Sequence, residues 1–217
     1  IDIAKLHKWA KTNGNFVNVA MLPGEFVTPD KPIAFVKYNA DFEDIISAFK
    51  IGEARSFEAD PRFGFIVLAE IASRALSPSV NDHGTAINAI SSITRLLLIW
   101  YKNAEQDSRQ NERKNIKPKT QDNGEPHYKY DAVSVPALNV DDLFDDAYTS
   151  IARDGAANIE VAIRIQKSLN TIKACFNRVD NTFVEAANKL AIQSYERSKI
   201  ALSYDEDFKR LDKVFKN

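Results

Sequence analysis

Asp60-Pro61-Arg62-Phe63-Gly64-Phe65-Ile66-Val67-Leu68-Ala69-Glu70-Ile71-Ala72-Ser73-Arg74-Ala75-Leu76-Ser77-Pro78 reads as one helix with a marked start and a marked stop. Asp is a favoured N-cap, and Pro suits the first helical position because its missing N–H has no intrahelical bond to lose. Phe65, Leu68, Ala69, Ala72, Ala75 and Leu76 recur at helical spacing and predict a core stripe, widened by Ile66 and Ile71. Ser77-Pro78 ends the helix. Asn81 or Asp82 then caps a second one, with the stripe Ala86, Ala89, Ile90, Ile93, Leu96, Leu97 and Trp100. Two apolar stripes joined by a short turn predict a central helix pair over residues 41–101.

The residues before this pair have a different character. Residues 1–11 read as a short helix with Ile3, Leu6 and Ala10 on one side and Lys5, Lys8 and Lys11 on the other. Gly14 and the flanking asparagines end it, since both types tolerate the left-handed cap conformation. Phe16, Val17, Val19, Met21 and Leu22 form a β-rich run that Pro23-Gly24 breaks, and Ile33-Ala34-Phe35-Val36 forms another. This hairpin subunit, 1–40, needs partners, because an isolated hairpin is marginal in water. Residues 41–50 read as an amphipathic helix with Phe42, Ile45, Ile46 and Phe49, and 52–58 as an extended piece that joins the β unit.

Beyond Tyr101 the pattern fades. Residues 102–126 are rich in charge, with Ala104 and Ile116 as the only aliphatic side chains. Such a stretch buries too little apolar area to offset its ordering entropy, which predicts a flexible excursion. Residues 128–135 alternate and predict a strand returning to the hairpin. Residues 141–153 read as a helix ended by Asp154-Gly155. Ala162, Ile165, Leu169, Ile172, Phe176 and Val179 then repeat at spacings of 3 and 4, a heptad-like seam continued by Phe183, Ala187, Leu190 and Ala191. Phe208, Leu211 and Phe215 close the chain. The expected fold is α+β and mainly α: one soluble domain over 1–217, a helical bundle with a small β unit built from residues 16–37, 53–58 and 128–135.

Composition narrows the function classes. Hydrophobic residues make up 44% and charged residues 27% of 217, ordinary globular proportions that exclude wholesale disorder. Lys+Arg 29 against Asp+Glu 30 gives a net charge of -1, which argues against nucleic acid as a partner. The single cysteine, Cys175, has no internal disulfide partner. The longest apolar run, residues 96–101, is far short of the roughly 20 residues that span a bilayer.

The stretch Arg55-Ser56-Phe57-Glu58-Ala59-Asp60-Pro61-Arg62-Phe63-Gly64, with Ile71-Ala72-Ser73-Arg74-Ala75-Leu76-Ser77-Pro78 and Asn81-Asp82-His83-Gly84-Thr85-Ala86, resembles a bacterial family. It looks like the predicted membrane proteins of domain-of-unknown-function family twenty-two fifty-four, whose pattern is approximately R-T-F, D-P-x-F-G, I-A-x-R-A-L-S-P, N-D-P and T-A. Met21-Leu22-Pro23-Gly24-Glu25-Phe26-Val27 and Asp154-Gly155-Ala156-Ala157 fit the same layout. His83 departs from it, standing where the family usually has Pro. The resemblance implies transmembrane helices preceding Ile1 and no particular chemistry. It also implies a bacterial inner-membrane setting; an even number of spans with a cytoplasmic N-terminus would leave this part in the cytoplasm. Pro23-Gly24-Glu25-Phe26-Val27 is weakly similar to half of a biotinyl/lipoyl-type barrel, but the carrier lysine is absent, so no cofactor is implied.

The motif's polar residues admit two readings. Arg55, Asp60, Arg74, Asn81 and Asp82 could bind a small anion between Arg55 and Arg74, where helix N-termini favour negative charge. Alternatively they are structural: Asp60 and Asn81 or Asp82 cap helices, and Glu70 and Arg74 pair at i and i+4. Asp141, Asp142, Asp145 and Asp146 gather four carboxylates, which equally suit a helix start. His7, His83 and His127 show no metal-ligand spacing, and no hydrolase, P-loop or dinucleotide motif occurs, so no catalytic or metal residue is assigned. The expected function is a non-enzymatic assembly or regulatory domain of a membrane protein, partnered by its own transmembrane region and by self-association through the heptad-like helices. The alternative is a sensory domain for a small anion at Arg55 and Arg74.

Overall fold

Asp2 opens the first helix, α1 (Ile3–Thr12), its carboxylate accepting from the Lys5 N–H at 2.9 Å. The computed structural model describes residues 1–38, 42–57, 60–113 and 130–216. Of the 1–217 span treated above as one domain, residues 1–63 and 111–138 form one compact unit and residues 64–110 and 139–217 a second. The fold is α+β and mainly α, as the sequence predicts.

In the first unit Leu6, Trp9 and Ala10 of α1 are buried against a small sheet. The sheet holds β1 (Val17–Val19), β2 (Ala34–Val36) and β3 (Val133–Ser134) in the order β2-β1-β3. β1 pairs antiparallel with β2, Val17 opposite Val36, and parallel with β3, Val17 opposite Val133. Val17 and Val19 point into the core while Asn18 is exposed, the period-2 alternation of a half-buried strand. The return strand is therefore where the alternation of 128–135 puts it, within the described part of that stretch. Asn15 pins the hairpin: its Oδ1 accepts from the N–H groups of Phe16, Lys37 and Tyr38 at 2.9–3.1 Å, and its Nδ2 donates to the Tyr38 carbonyl at 3.0 Å.

Two expectations fail here. Among the described residues 52–57 there is no strand. Both sides of β1 are taken by β2 and β3, and this stretch instead delivers Arg55 to Asp60. The helix expected over 41–50 contracts to α2 (Glu43–Ile46), in which Ile45 is buried and Ile46 exposed; residue 41 lies outside the described residues.

The second unit is helical. α3 (Pro61–Ala75) and α4 (His83–Arg113) bury Phe65, Ala69, Ala72 and Ala75, and Ala86, Ala89, Ile90, Ile93 and Leu97. Ile71 and Leu96, placed in the stripes from sequence, are exposed, because each lies at the edge of its stripe. α4 also continues through residues 102–113, where an excursion was expected. Extending a formed helix needs no new nucleus, and Lys, Glu, Gln and Arg are good helix formers. The rest of the expected excursion, 114–126, lies outside the described residues.

Asn139 caps α5 (Val140–Phe144), which runs through a π-helical turn (Asp145–Thr149) into α6 (Ser150–Asp154). Asn158 caps α7 (Ile159–Phe176) and Asp180 caps α8 (Asn181–Ala201). The seam residues Ala162, Ile165, Leu169, Ile172 and Phe176 are all buried, as are Phe183, Ala187, Leu190 and Ala191. Phe176 and Phe183 stack at 4.3 Å, and Trp100 and Tyr101 of α4 meet these two rings edge-on. The seam thus packs within the chain's own core, with Val179 at its end half-buried. α9 (Asp205–Phe215) docks through Tyr195, which stacks on Phe215 at 4.1 Å and donates to Asp212 at 2.9 Å.

A line of hydroxyls crosses this core. Tyr148, fully buried in the π turn, lies 2.7 Å from the Ser168 hydroxyl, which lies 2.6 Å from that of Thr94. Burial pushes the Tyr148 phenol up to about 12 from its ordinary 10.0. The folded chain therefore holds the neutral phenol, whereas the unfolded chain ionises from pH 10 upward. Its contribution to stability is present below pH 10 and is lost as the pH rises towards 12. Denaturation midpoints measured between pH 8 and 11.5 should fall more steeply for wild type than for Tyr148→Phe, which has no phenol to ionise.

Candidate functional site

Asp60 is 3% exposed, and its carboxylate is saturated by its neighbours. One oxygen accepts from the N–H groups of Arg62 at 3.1 Å and Phe63 at 3.2 Å, the N-cap of α3. The other accepts from Arg55 Nε at 2.5 Å. The Arg55 guanidinium lies 5.5 Å over the Phe63 ring, which packs at 4.8 Å against Phe57. Gly24 closes over the pair. It adopts φ +87, and a Cβ there would fall 1.9 Å from Asp60 Oδ2 and 2.7 Å from Arg55 Nε. Conformation and space both demand glycine at this position.

The other three motif residues belong to the second unit. Arg74 is 82% exposed and reaches Glu70 at 3.8 Å, an i,i+4 pair. Asp82, not Asn81, caps α4: it accepts from the Thr85 N–H at 3.0 Å and the Thr85 hydroxyl at 2.6 Å. The Thr85 hydroxyl is the main cause holding the Asp82 carboxyl below the usual range. Asn81 turns the chain with φ +50, a left-handed conformation that Asn tolerates. Its N–H donates to the Ser77 carbonyl at 2.8 Å, and its side-chain oxygen lies 2.8 Å from His83 Nε2. His83 Nδ1 in turn lies 2.7 Å from Asn158 Nδ2. The structure thus joins Arg55 to Asp60 and sets Asn81 beside Asp82, while Arg74 pairs with Glu70.

The acidic group at the start of α5 is similarly engaged. Asp141 pairs with Lys189 of α8 at 3.1 Å, and Asp145 accepts from the Thr149 hydroxyl at 2.6 Å. With Asp142, Lys189 and Gln193 they line an open cleft of about 220 Å³. Among the described residues no group of three or more His, Cys, Asp or Glu side chains is disposed to hold a metal ion. His7 packs edge-on to Tyr130 at 5.4 Å, and His127 lies outside the described residues. Cys175 is half-buried.

Sequence reading misses Asn15, Asn158 and the tie between His83 and Asn158, and sees Gly24 only as a turn former. The signal available for Gly24 is the Pro-Gly pair; nothing local marks Asn15 or Asn158 as more than loop and cap residues.

One unit holds a small mixed sheet with two helices and the other a capped helical bundle, which defines the class: a mainly helical α+β protein. Residues 1–171 match the family described as predicted membrane protein (DUF2254), and the chain belongs to it. No curated protein and no solved structure matches the chain. Among the described residues no helix is long and apolar enough to cross a membrane.

Two comparisons test this geometry by chemical denaturation. Gly14 has φ +56 but open space around its missing Cβ, so Gly14→Ala should cost about 1 kcal/mol of backbone strain alone. Gly24→Ala adds a clash with the ion pair and should cost at least about 2 kcal/mol more. Asp60→Ala removes the cap and the Arg55 partner together and should cost about 2 kcal/mol, whereas Asp60→Asn retains a cap oxygen and should lose about half as much.

Proposed function

We propose that this chain is a non-enzymatic assembly or regulatory domain of a bacterial integral membrane protein. Its partner is that protein's own transmembrane region, preceding Ile1, and it faces the cytoplasm. The observation that carries the reading is how the motif's polar groups are occupied. Asp60 holds a helix start and Arg55, Asp82 holds a helix start, and Arg74 lies on an exposed helix face beside Glu70. Side chains engaged in this way build a scaffold. Membership of a predicted membrane protein family supplies the setting. Self-association, where it occurs, uses surfaces other than the α7–α8 seam.

Sidedness is tested in intact cells with the natural protein carrying Cys175→Ser and one cysteine introduced within residues 102–126. An impermeant maleimide should label it only after permeabilisation; labelling of intact cells overturns the cytoplasmic placement. The anion-sensor alternative has its own readout. Phosphate, citrate or a nucleotide would raise the melting temperature of wild type, and Arg55→Ala and Arg74→Ala would each abolish that rise while leaving the ligand-free protein stable. That pattern would replace the scaffold reading by the sensor.

A further inference from the structure

We propose that His83 is a pH-sensitive clasp tying the α3–α4 turn to the first turn of α7, closed while its imidazole is neutral and opened by protonation. The proposal does not depend on the membrane setting. It rests on three side chains, Asn81, His83 and Asn158, whose hydrogen-bonding roles determine one another.

Asn158 is the N-cap of α7, its Oδ1 accepting from the Val161 N–H at 3.0 Å. That bond fixes the amide's orientation, because the reversed amide would set its NH₂ against the Val161 N–H. Nδ2 is therefore the group facing His83 Nδ1 at 2.7 Å, and it is a donor. Nδ1 must accept, so it carries no proton. The neutral ring then carries its proton on Nε2, which donates to Asn81 Oδ1 at 2.8 Å. One arrangement satisfies all three side chains, and its imidazole is neutral.

Protonation breaks this consistency at one contact. The imidazolium keeps its Nε2–H bond to Asn81 but points an Nδ1–H at the Asn158 NH₂. Either the ring leaves Asn158, or Asn158 turns its oxygen to the ring and abandons the Val161 N–H. The first branch breaks the contact between the turn and α7, which joins residues 75 positions apart; the second keeps that contact, reversed, and gives up the α7 cap instead. Asp82 is the neighbouring carboxylate, and it is engaged by the Thr85 N–H and hydroxyl. The charged groups in the end turns of the neighbouring elements are Arg74 in the last turn of α3, Arg153 and Asp154 at the end of α6, and Glu160 in the first turn of α7. Glu70 pairs with Arg74, and Arg153 with Asp154 at 2.7 Å.

The test is an NMR titration of the chain from pH 8 to 5, following the imidazole nitrogens of His83, the Asn158 side-chain amide, and exchange of the Asp82 and Val161 amides corrected for intrinsic pH dependence. At pH 8 the ring should show the Nε2–H tautomer. Through the His83 titration the Asn158 amide should shift, and the corrected exchange should rise about five-fold at one or both helix starts, the scale of one net hydrogen bond. His83→Gln should abolish the pH dependence. Asn158→Asp keeps a cap oxygen and offers an acceptor to an Nδ1–H, so it should reverse the direction and hold the clasp in acid. An Nδ1–H tautomer at pH 8, an Asn158 amide unmoved through the titration, or an Asn158→Asp variant with the wild-type direction would each overturn the proposal.

Discussion

A carboxylate that is 3% exposed needs a hydrogen-bond partner at each oxygen, and the Asp60 carboxylate organises the start of α3 by that requirement. Its three partners come from two sources. The N–H groups of Arg62 and Phe63 are present as soon as Pro61 starts a helix. Arg55 Nε is present only if residues 52–57 carry it to Asp60 instead of pairing in the sheet. The same demand reaches Gly24, because a pair this close to another backbone leaves no room for a Cβ. Three separated positions, 24, 55 and 60, therefore answer to one buried charge.

The helical unit solves its terminal problem one helix at a time. Every α-helix leaves N–H groups at its start without intrahelical partners. Asp82, Asn139, Asn158 and Asp180 each supply a side-chain oxygen to such groups. With the starts settled locally, packing can be mostly apolar. Polar exceptions are Gln166, whose Nε2 donates to the Ala191 carbonyl across α7 and α8 at 2.9 Å, and the Tyr148–Ser168–Thr94 line. There the π turn brings a phenol into a dry core, and two hydroxyls on α7 and α4 keep it satisfied.

What was legible in the sequence is what depends on neighbours in the chain. Asp60-Pro61 and the 3-and-4 spacing of residues 162–176 specify a cap and a buried seam through local geometry alone, and both are where the pattern puts them. Residues 102–113 misled because their composition lacks core formers, yet a helix already running through Leu97 and Trp100 extends at little cost. Residues 52–57 misled for a different reason. They were read as extended, and they instead deliver Arg55 to Asp60, a pairing that the pattern does not show. Asn15 bonding to Tyr38, and His83 to Asn158, join residues that no periodicity relates. The site residues were legible as types and positions; which of them meet was not, because pairing is decided by tertiary packing.

A motif dense in Arg, Asp and Asn invites a chemical reading, and the occupancy of each group argues for a mechanical one. Chemistry at a carboxylate or guanidinium needs an unengaged face directed at a space a reactant can enter. Asp60 has both oxygens bonded and Gly24 pressed against them. Arg55 has its guanidinium divided between Asp60 and the Phe63 ring. Asp82 and Asn81 hold a turn in which Ser77, Val80, Asn81, Asp82 and His83 are tied by hydrogen bonds to each other or to Ala75. Arg55, Asp60, Asn81 and Asp82 each bond to backbone or to a neighbouring side chain, and Arg74 pairs with Glu70 on an exposed helix face, so each is engaged within the fold.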